Sequence, residues 1–97
     1  MRVIAKVTLK EFWVKHSDCE QQLLSWYKIF VKANYTSFDE MKLEFGTMKV
    51  LGPDRVVFKI KGNKYRLIVK ISFKNRIAFI RFIGTHGEYD KIDAKTI

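Results

Sequence analysis

Cysteine, histidine and proline are nearly missing from this chain of 97 residues, and each scarcity closes off a class of protein. The one cysteine, Cys19, cannot form an internal disulfide. Joined only by His16 and His86, it offers no metal-ligand spacing, so no zinc, iron or other metal site is expected. One proline and five scattered glycines leave no linker or low-complexity stretch, which predicts a single domain over residues 1–97. No apolar run approaches the roughly 20 residues needed to cross a bilayer. The opening MRVIAKVTLKEFW has no signal-peptide core, so a cytoplasmic protein without membrane contact is expected. Glycine-rich nucleotide fingerprints, a Ser-His-Asp order and paired carboxylates are missing too. These absences disfavour nucleotide-dependent folds and the hydrolases built on such motifs, and no cofactor is expected.

Negative charge is the scarcity that carries most information. Between Arg55 and Gly87 there are nine Lys or Arg residues and no Asp or Glu, within a chain of net charge +9. An unbroken positive stretch makes a broad field that raises encounter rates with a polyanion, and RNA is the partner it favours. An anionic membrane would call instead for a basic amphipathic helix, whereas here the charge lies mainly on strand-like segments.

What is present alternates between two periods. Met1 to Ile4 reads as a short edge strand. Thr8 with Glu11, Ser17 with Glu20 and Ser37 with Glu40 each match a capping box that opens a helix. Leu9, Phe12 and Trp13 fall at i, i+3, i+4. Cys19, Leu23, Trp26, Tyr27, Phe30 and Val31 form one apolar stripe on the longest helix, and Phe38, Met41 and Phe45 line a short one that Gly46 ends. From Arg55 the period becomes two. Arg55 to Lys61, Tyr65 to Phe73 and Arg76 to Gly84 read as strands. Turns fall at Lys61-Gly62-Asn63-Lys64 and Lys74-Asn75, and Gly52-Pro53-Asp54 leads in. The expected architecture is α+β, an antiparallel meander with the helices packed on one face.

Alternation sorts the strand residues. Tyr65, Leu67, Val69, Ile71 and Phe73, with Val56, Phe58 and Ile60, should face the helices. Arg55, Lys59, Lys61, Arg66 and Lys70 should then form a basic platform on the opposite face. Arg81, set between Ile80 and Phe82, is a charge within an apolar strand and needs a partner. Because Arg81 and His86 have opposite parity, a shared face requires a bulge at Gly84 or a strand that has already ended.

Cutting RNA without a metal needs a base for the 2′-hydroxyl proton, cations for charge building on phosphorus and an acid for the leaving oxygen. His86 is the natural acid or base. Arg66 and Arg81 can grip phosphate oxygens through the guanidinium fork, while Lys59, Lys61 and Lys64 act as point charges. Tyr89 can stack on a base or donate a proton. Plainer readings stand beside these: His86 as a turn residue, Arg66 in a surface ion pair, Gly62-Asn63-Lys64 as a simple hairpin turn. A non-catalytic RNA- or ribosome-binding module would need only the platform. An inactive regulatory protein that binds DNA with a partner is a third possibility.

A resemblance narrows these choices. In order along the chain, it rests on Leu9-Lys10-Glu11-Phe12-Trp13, Lys15-His16, Trp26-Tyr27, Arg55-Val56-Val57-Phe58 and Gly62-Asn63-Lys64-Tyr65-Arg66-Leu67. It continues through Ile80-Arg81-Phe82-Ile83-Gly84-Thr85-His86 and Glu88-Tyr89-Asp90-Lys91-Ile92. Together these segments resemble the HigB family of type II toxins within the RelE superfamily. The resemblance implies the microbial RNase fold, with N-terminal helices on one face of a mainly antiparallel sheet. It implies an endoribonuclease that cuts mRNA, typically during translation in the ribosomal A site, so that mRNA and the ribosome are its partners. It also implies neutralisation by a HigA-type antitoxin carrying a helix-turn-helix, with operator DNA reached only through that antitoxin. By position, the site such enzymes use would comprise Lys59 or Lys61, Lys64, Arg66, Arg81, His86 and Tyr89. On this basis His86 is expected as acid or base and Arg66 and Arg81 as phosphate stabilisers. Lys64 would hold the backbone and Tyr89 the nucleotide, while Arg55, Lys59, Lys61 and Lys70 bind RNA.

Overall fold

Apolar side chains at helical spacing in the first half and at alternating spacing in the second half produce two layers, helices over a sheet. A computed structural model describes residues 1–97. Its elements run β1 (Arg2–Ile4), α1 (Lys6–Lys15), a 3-10 turn (Ser17–Cys19), α2 (Glu20–Lys32), α3 (Phe38–Glu44), β2 (Lys49–Leu51), β3 (Arg55–Ile60), β4 (Tyr65–Ser72), β5 (Ile77–Thr85) and α4 (His86–Tyr89). The sheet order is β1-β5-β4-β3-β2, with β1 parallel to β5 and every other pair antiparallel. The expected α+β architecture, the β3-β4-β5 meander and the N-terminal edge strand are all present. No helix is long and apolar enough to cross a membrane.

Two of the three expected capping boxes do not form. α1 starts at Lys6, ahead of Thr8, with Ala5 as its cap residue and no side-chain cap bond. Ser17 lies in the 3-10 turn, and α2 begins from Cys19 without a side-chain cap. Packing sets both starts: Leu9 and Trp13 on α1, and Cys19, Leu23, Trp26 and Phe30 from the turn into α2, are buried against the sheet. Each large side chain so buried contributes about 1.5–3 kcal/mol, more than the ~1 kcal/mol of a cap. Only α3 keeps its box in part, with the Ser37 hydroxyl accepting from the Glu40 amide at 3.2 Å. Val31, placed on the α2 stripe by its spacing, is 40% exposed because it lies about 100° round the helix from the fully buried Phe30.

The helix-facing side of the sheet follows the alternation. Val56, Phe58, Ile60, Tyr65, Leu67, Val69 and Ile71 join the helices in one core. The opposite face is less bare than expected. Leu51, Val57 and Ile68 are buried there beneath Phe82, Tyr89, Ile92, Ala94 and Ile97. The chain after α4 folds back over this face, so the basic residues ring a small apolar patch and do not form an open platform. Lys61 leaves the platform altogether. β3 ends at Ile60, Lys61 takes a left-handed φ of 55°, and its amide donates to Gln22 Oε1 of α2 at 2.5 Å.

Candidate functional site

Arg66 is the one charged residue among the buried ones, with 8% of its surface exposed. It sits in the central strand, opposite Lys59 on β3 and Gly84 on β5. Its Nη1 donates to the Asn63 carbonyl at 3.1 Å, and its guanidinium lies 5.7 Å from the Tyr89 ring centroid. Around it is a cleft of about 270 Å³ lined by Thr47, Lys49, Val57, Lys59, Arg66 and Tyr89. The lining holds three cations and no carboxylate. None of the four ion pairs in the structure includes Arg66. A buried guanidinium without a counter-charge, flanked by two lysines, is a site that an anion would complete.

Local structure on β5 explains how Tyr89 reaches this cleft. Gly84 is packed so closely that a Cβ there would lie 2.5 Å from Cζ of Phe82 and 3.2 Å from Oε1 of Glu88. Only a glycine lets the Phe82 ring and α4 fold down beside Arg66. Thr85 then caps α4 with a complete box: its hydroxyl accepts from the Glu88 amide at 3.1 Å, and Glu88 Oε1 accepts from the Thr85 amide at 2.8 Å. Those bonds hold the Glu88 carboxyl below the usual carboxylate range. One turn of helix carries the chain from His86 to Tyr89, whose ring meets Phe82 at a centroid distance of 6.5 Å. His86 Nδ1 lies 3.3 Å from Asp90 Oδ2, and the His86 amide donates to the Lys64 carbonyl at 3.0 Å. With Nδ1 held by Asp90, Nε2 on the half-exposed ring is the nitrogen left for proton transfer.

The other residues singled out from the sequence fall into two further groups. Lys64 turns to the helix side, where its Nζ is 2.7 Å from Asp18 Oδ2 while the Tyr65 hydroxyl donates to Asp18 Oδ1 at 2.7 Å. The Lys64 ammonium, then the Tyr65 hydroxyl, hold the Asp18 carboxyl below the ordinary range, and Asp18 in turn raises the Lys64 ammonium. The second group gathers Arg55, Lys70 and Arg81. Asp54 pairs with Arg55 at 3.0 Å and with Lys70 at 3.8 Å. Arg55 and Arg81 both donate to the Ile97 carbonyl oxygen, Arg55 at 2.8 and 3.1 Å and Arg81 at 3.2 Å. Arg55 is four residues along β3 from Lys59, about 13 Å at the usual strand rise. The bulge falls at Arg81 itself and not at Gly84: Ile68 pairs Phe82 and Val69 pairs Ile80, leaving Arg81 without a partner across the ladder. That extra residue restores a common parity for Phe82 and Ile68 on the cleft side.

Of the nine expected site residues, Arg66, Lys59 and Tyr89 line the cleft, and His86 begins the helical turn that carries Tyr89. Thr47 and Lys49 were not foreseen. The turn Gly52-Pro53-Asp54 before a strand was the available signal, since a hairpin turn implies a strand on its other side as well. Thr85-His86-Gly87-Glu88 is likewise a capping-box pattern that could have announced α4.

Comparison with known proteins identifies the relatives of this chain. Residues 19–92 match the model of the HigB toxin family, described as the RelE-like toxic component of a toxin-antitoxin system. The mRNA interferase HigB of Escherichia coli O6:H1 is 28% identical over 94 residues, covering 95% of this chain and 91% of that protein. The mRNA interferase toxin HigB of Escherichia coli K12 is 26% identical over 93 residues, covering 93% and 88%, and the mRNA interferase HigB of Shigella flexneri gives the same figures. With the family's match running from the start of α2 past Tyr89, through β3 to β5 and α4, this chain belongs to the HigB family of RelE-like toxins.

Proposed function

We propose that the chain is an endoribonuclease that cleaves mRNA without a metal during translation on the ribosome, and that the Arg66 cleft holds the scissile phosphate. The carrying observation is the buried Arg66 guanidinium, which has Lys49 and Lys59 beside it and no carboxylate within the cleft. In this reading a 2′-hydroxyl attacks the adjacent phosphorus, its proton leaves to a base, and the 5′-oxygen departs with a proton from an acid. His86 supplies one of these proton transfers through Nε2, with Asp90 as its positioning residue. Arg66, Lys59 and Lys49 offset the charge that builds on the phosphoryl oxygens. Tyr89, held against Arg66 and Phe82, stacks on a neighbouring base. Arg55, Lys70 and Arg81 guide the RNA backbone further along the sheet, and Lys64 braces the hairpin through Asp18. The protein acts in the cytoplasm. Its toxin-antitoxin family implies a cognate antitoxin, which we take to be HigA-type with a helix-turn-helix that alone contacts operator DNA.

Arg66→Ala is expected to lower mRNA cleavage by about 10²–10³-fold, the usual effect of deleting one transition-state donor. Arg66→Lys should recover little, because an ammonium lacks the planar fork. The check is inducible expression with growth and mRNA 5′ ends followed in the same cells. Arg66→Ala that still arrests growth and produces wild-type cleavage ends would remove the cleft from the mechanism. Arrest by the wild type without new ends would favour a non-catalytic module that binds RNA or the ribosome.

A further inference from the structure

A second, larger cleft of about 420 Å³ lies on the helix side of the sheet, between α2 and the turn after α3. Trp26, Ile29, Phe45, Phe58 and Ile60 supply its apolar lining. Two features mark it as unfinished. β2 pairs only with Arg55 to Val57, so the outer edge of β3 from Phe58 to Ile60 has no strand beside it. The Trp26 indole Nε1–H, in a side chain 3% exposed, has no acceptor within the chain. An open strand edge beside an apolar groove is the arrangement that accepts an added extended segment through main-chain bonds.

Charge indicates what kind of segment fits. Beyond Ser25 and Ile29 the groove continues into a shallower cleft lined by Lys28 and Lys32, and its other rim carries Lys59. Its one carboxylate, Glu44, is engaged by the Tyr35 hydroxyl at 2.8 Å. In a chain of net charge +9, the suited occupant is acidic with apolar anchors. Thr47 and Lys59 line both this groove and the Arg66 cleft, so the two share a rim.

We infer that this groove is the docking site for an acidic, apolar-anchored segment of the cognate antitoxin, which adds to the free edge of β3. Across the shared Thr47–Lys59 rim, the segment screens Lys59 and closes the RNA cleft from its flank. The docking part rests on family membership, and only the silencing part rests on the proposed ribonuclease site. One strand of partner thus binds beside the cleft without entering it.

The test uses the full chain co-expressed with its cognate antitoxin, with binding and mRNA cleavage read separately. Ile29→Glu and Ser25→Glu both lie on the outward side of α2, away from the RNA cleft, and each sets a negative charge against the acidic segment. Each should weaken antitoxin binding by at least about 30-fold, the scale of an interface hot spot, while keeping wild-type cleavage and folded circular dichroism. Cells carrying either variant should then arrest even with antitoxin present. Wild-type antitoxin affinity in both variants would overturn the inference. Retained affinity with reduced or redirected cleavage would also overturn it, by assigning the groove to RNA. Because binding is measured by co-purification, a wild-type chain that cut no mRNA would leave this result readable while sinking the ribonuclease proposal.

Discussion

His86→Ala should lose mRNA cleavage by about 10²–10⁴-fold with little change in stability, which is the range for removing a general acid or base. The side chain is 49% exposed, with Asp90 as its ion-pair partner, so its loss opens no core cavity. Asp90→Asn should act more mildly, about 10-fold, because it leaves the imidazole in place and removes only its charged orienter. A readout that separates a proton-transfer role from a structural one is the pH profile of cleavage. The profiles of wild type and His86→Ala should differ in shape. His86→Ala with full toxicity and an unchanged profile would move the proton transfer to another group, with Tyr89 the nearest alternative.

Phe30→Ala should lower the free energy of unfolding by about 3–5 kcal/mol, the range for deleting a buried aromatic ring. Phe30 is fully buried, stacks on Trp26 at 4.3 Å, and meets Tyr35 and Phe58 edge-on at 5.5 and 5.6 Å. It is the point where α2, the chain after α2 and β3 join. A domain of this size has about 5–15 kcal/mol in total, so the variant should be folded only in part or lost to proteolysis. Phe30→Leu, which refills most of the volume, should cost about 1.5 kcal/mol or less. Urea denaturation of the three proteins decides it. A change below 1 kcal/mol for Phe30→Ala would mean that the helix layer is not held through this aromatic cluster.

Much of this fold could be read from spacing alone, because burial and period agree wherever an element is long. The α2 stripe, Val31 apart, and the β3-β4 alternation each repeat over several turns or residues, and their apolar sides landed against the core as implied. Short elements escaped because tertiary packing outweighs local signals there. At Thr8 and Ser17 the capping pattern was present, yet the helix began where Leu9 and Cys19 could be buried. β2 spans three residues and has no periodicity to detect. The candidate site was legible in its chemistry but not in its partition. Charge and order along the chain pointed to Arg66, Lys59, His86 and Tyr89. No spacing could show that Lys64 would turn to Asp18, or that a bulge at Arg81 would send that residue to Ile97. Those outcomes depend on contacts between residues 46 and 16 positions apart.

The location of the RNA is the claim on which the whole account turns. The most direct measurement is a titration of isotope-labelled protein with a short RNA whose cleavable 2′-hydroxyls are replaced by hydrogen, following amide and side-chain shifts by NMR. The account predicts the largest changes at Lys49, Lys59, Arg66, His86 and Tyr89, and smaller ones at Arg55, Lys70 and Arg81. Changes centred on Lys64 and Asp18, or on the α2 groove, with the Arg66 cleft undisturbed, would contradict it.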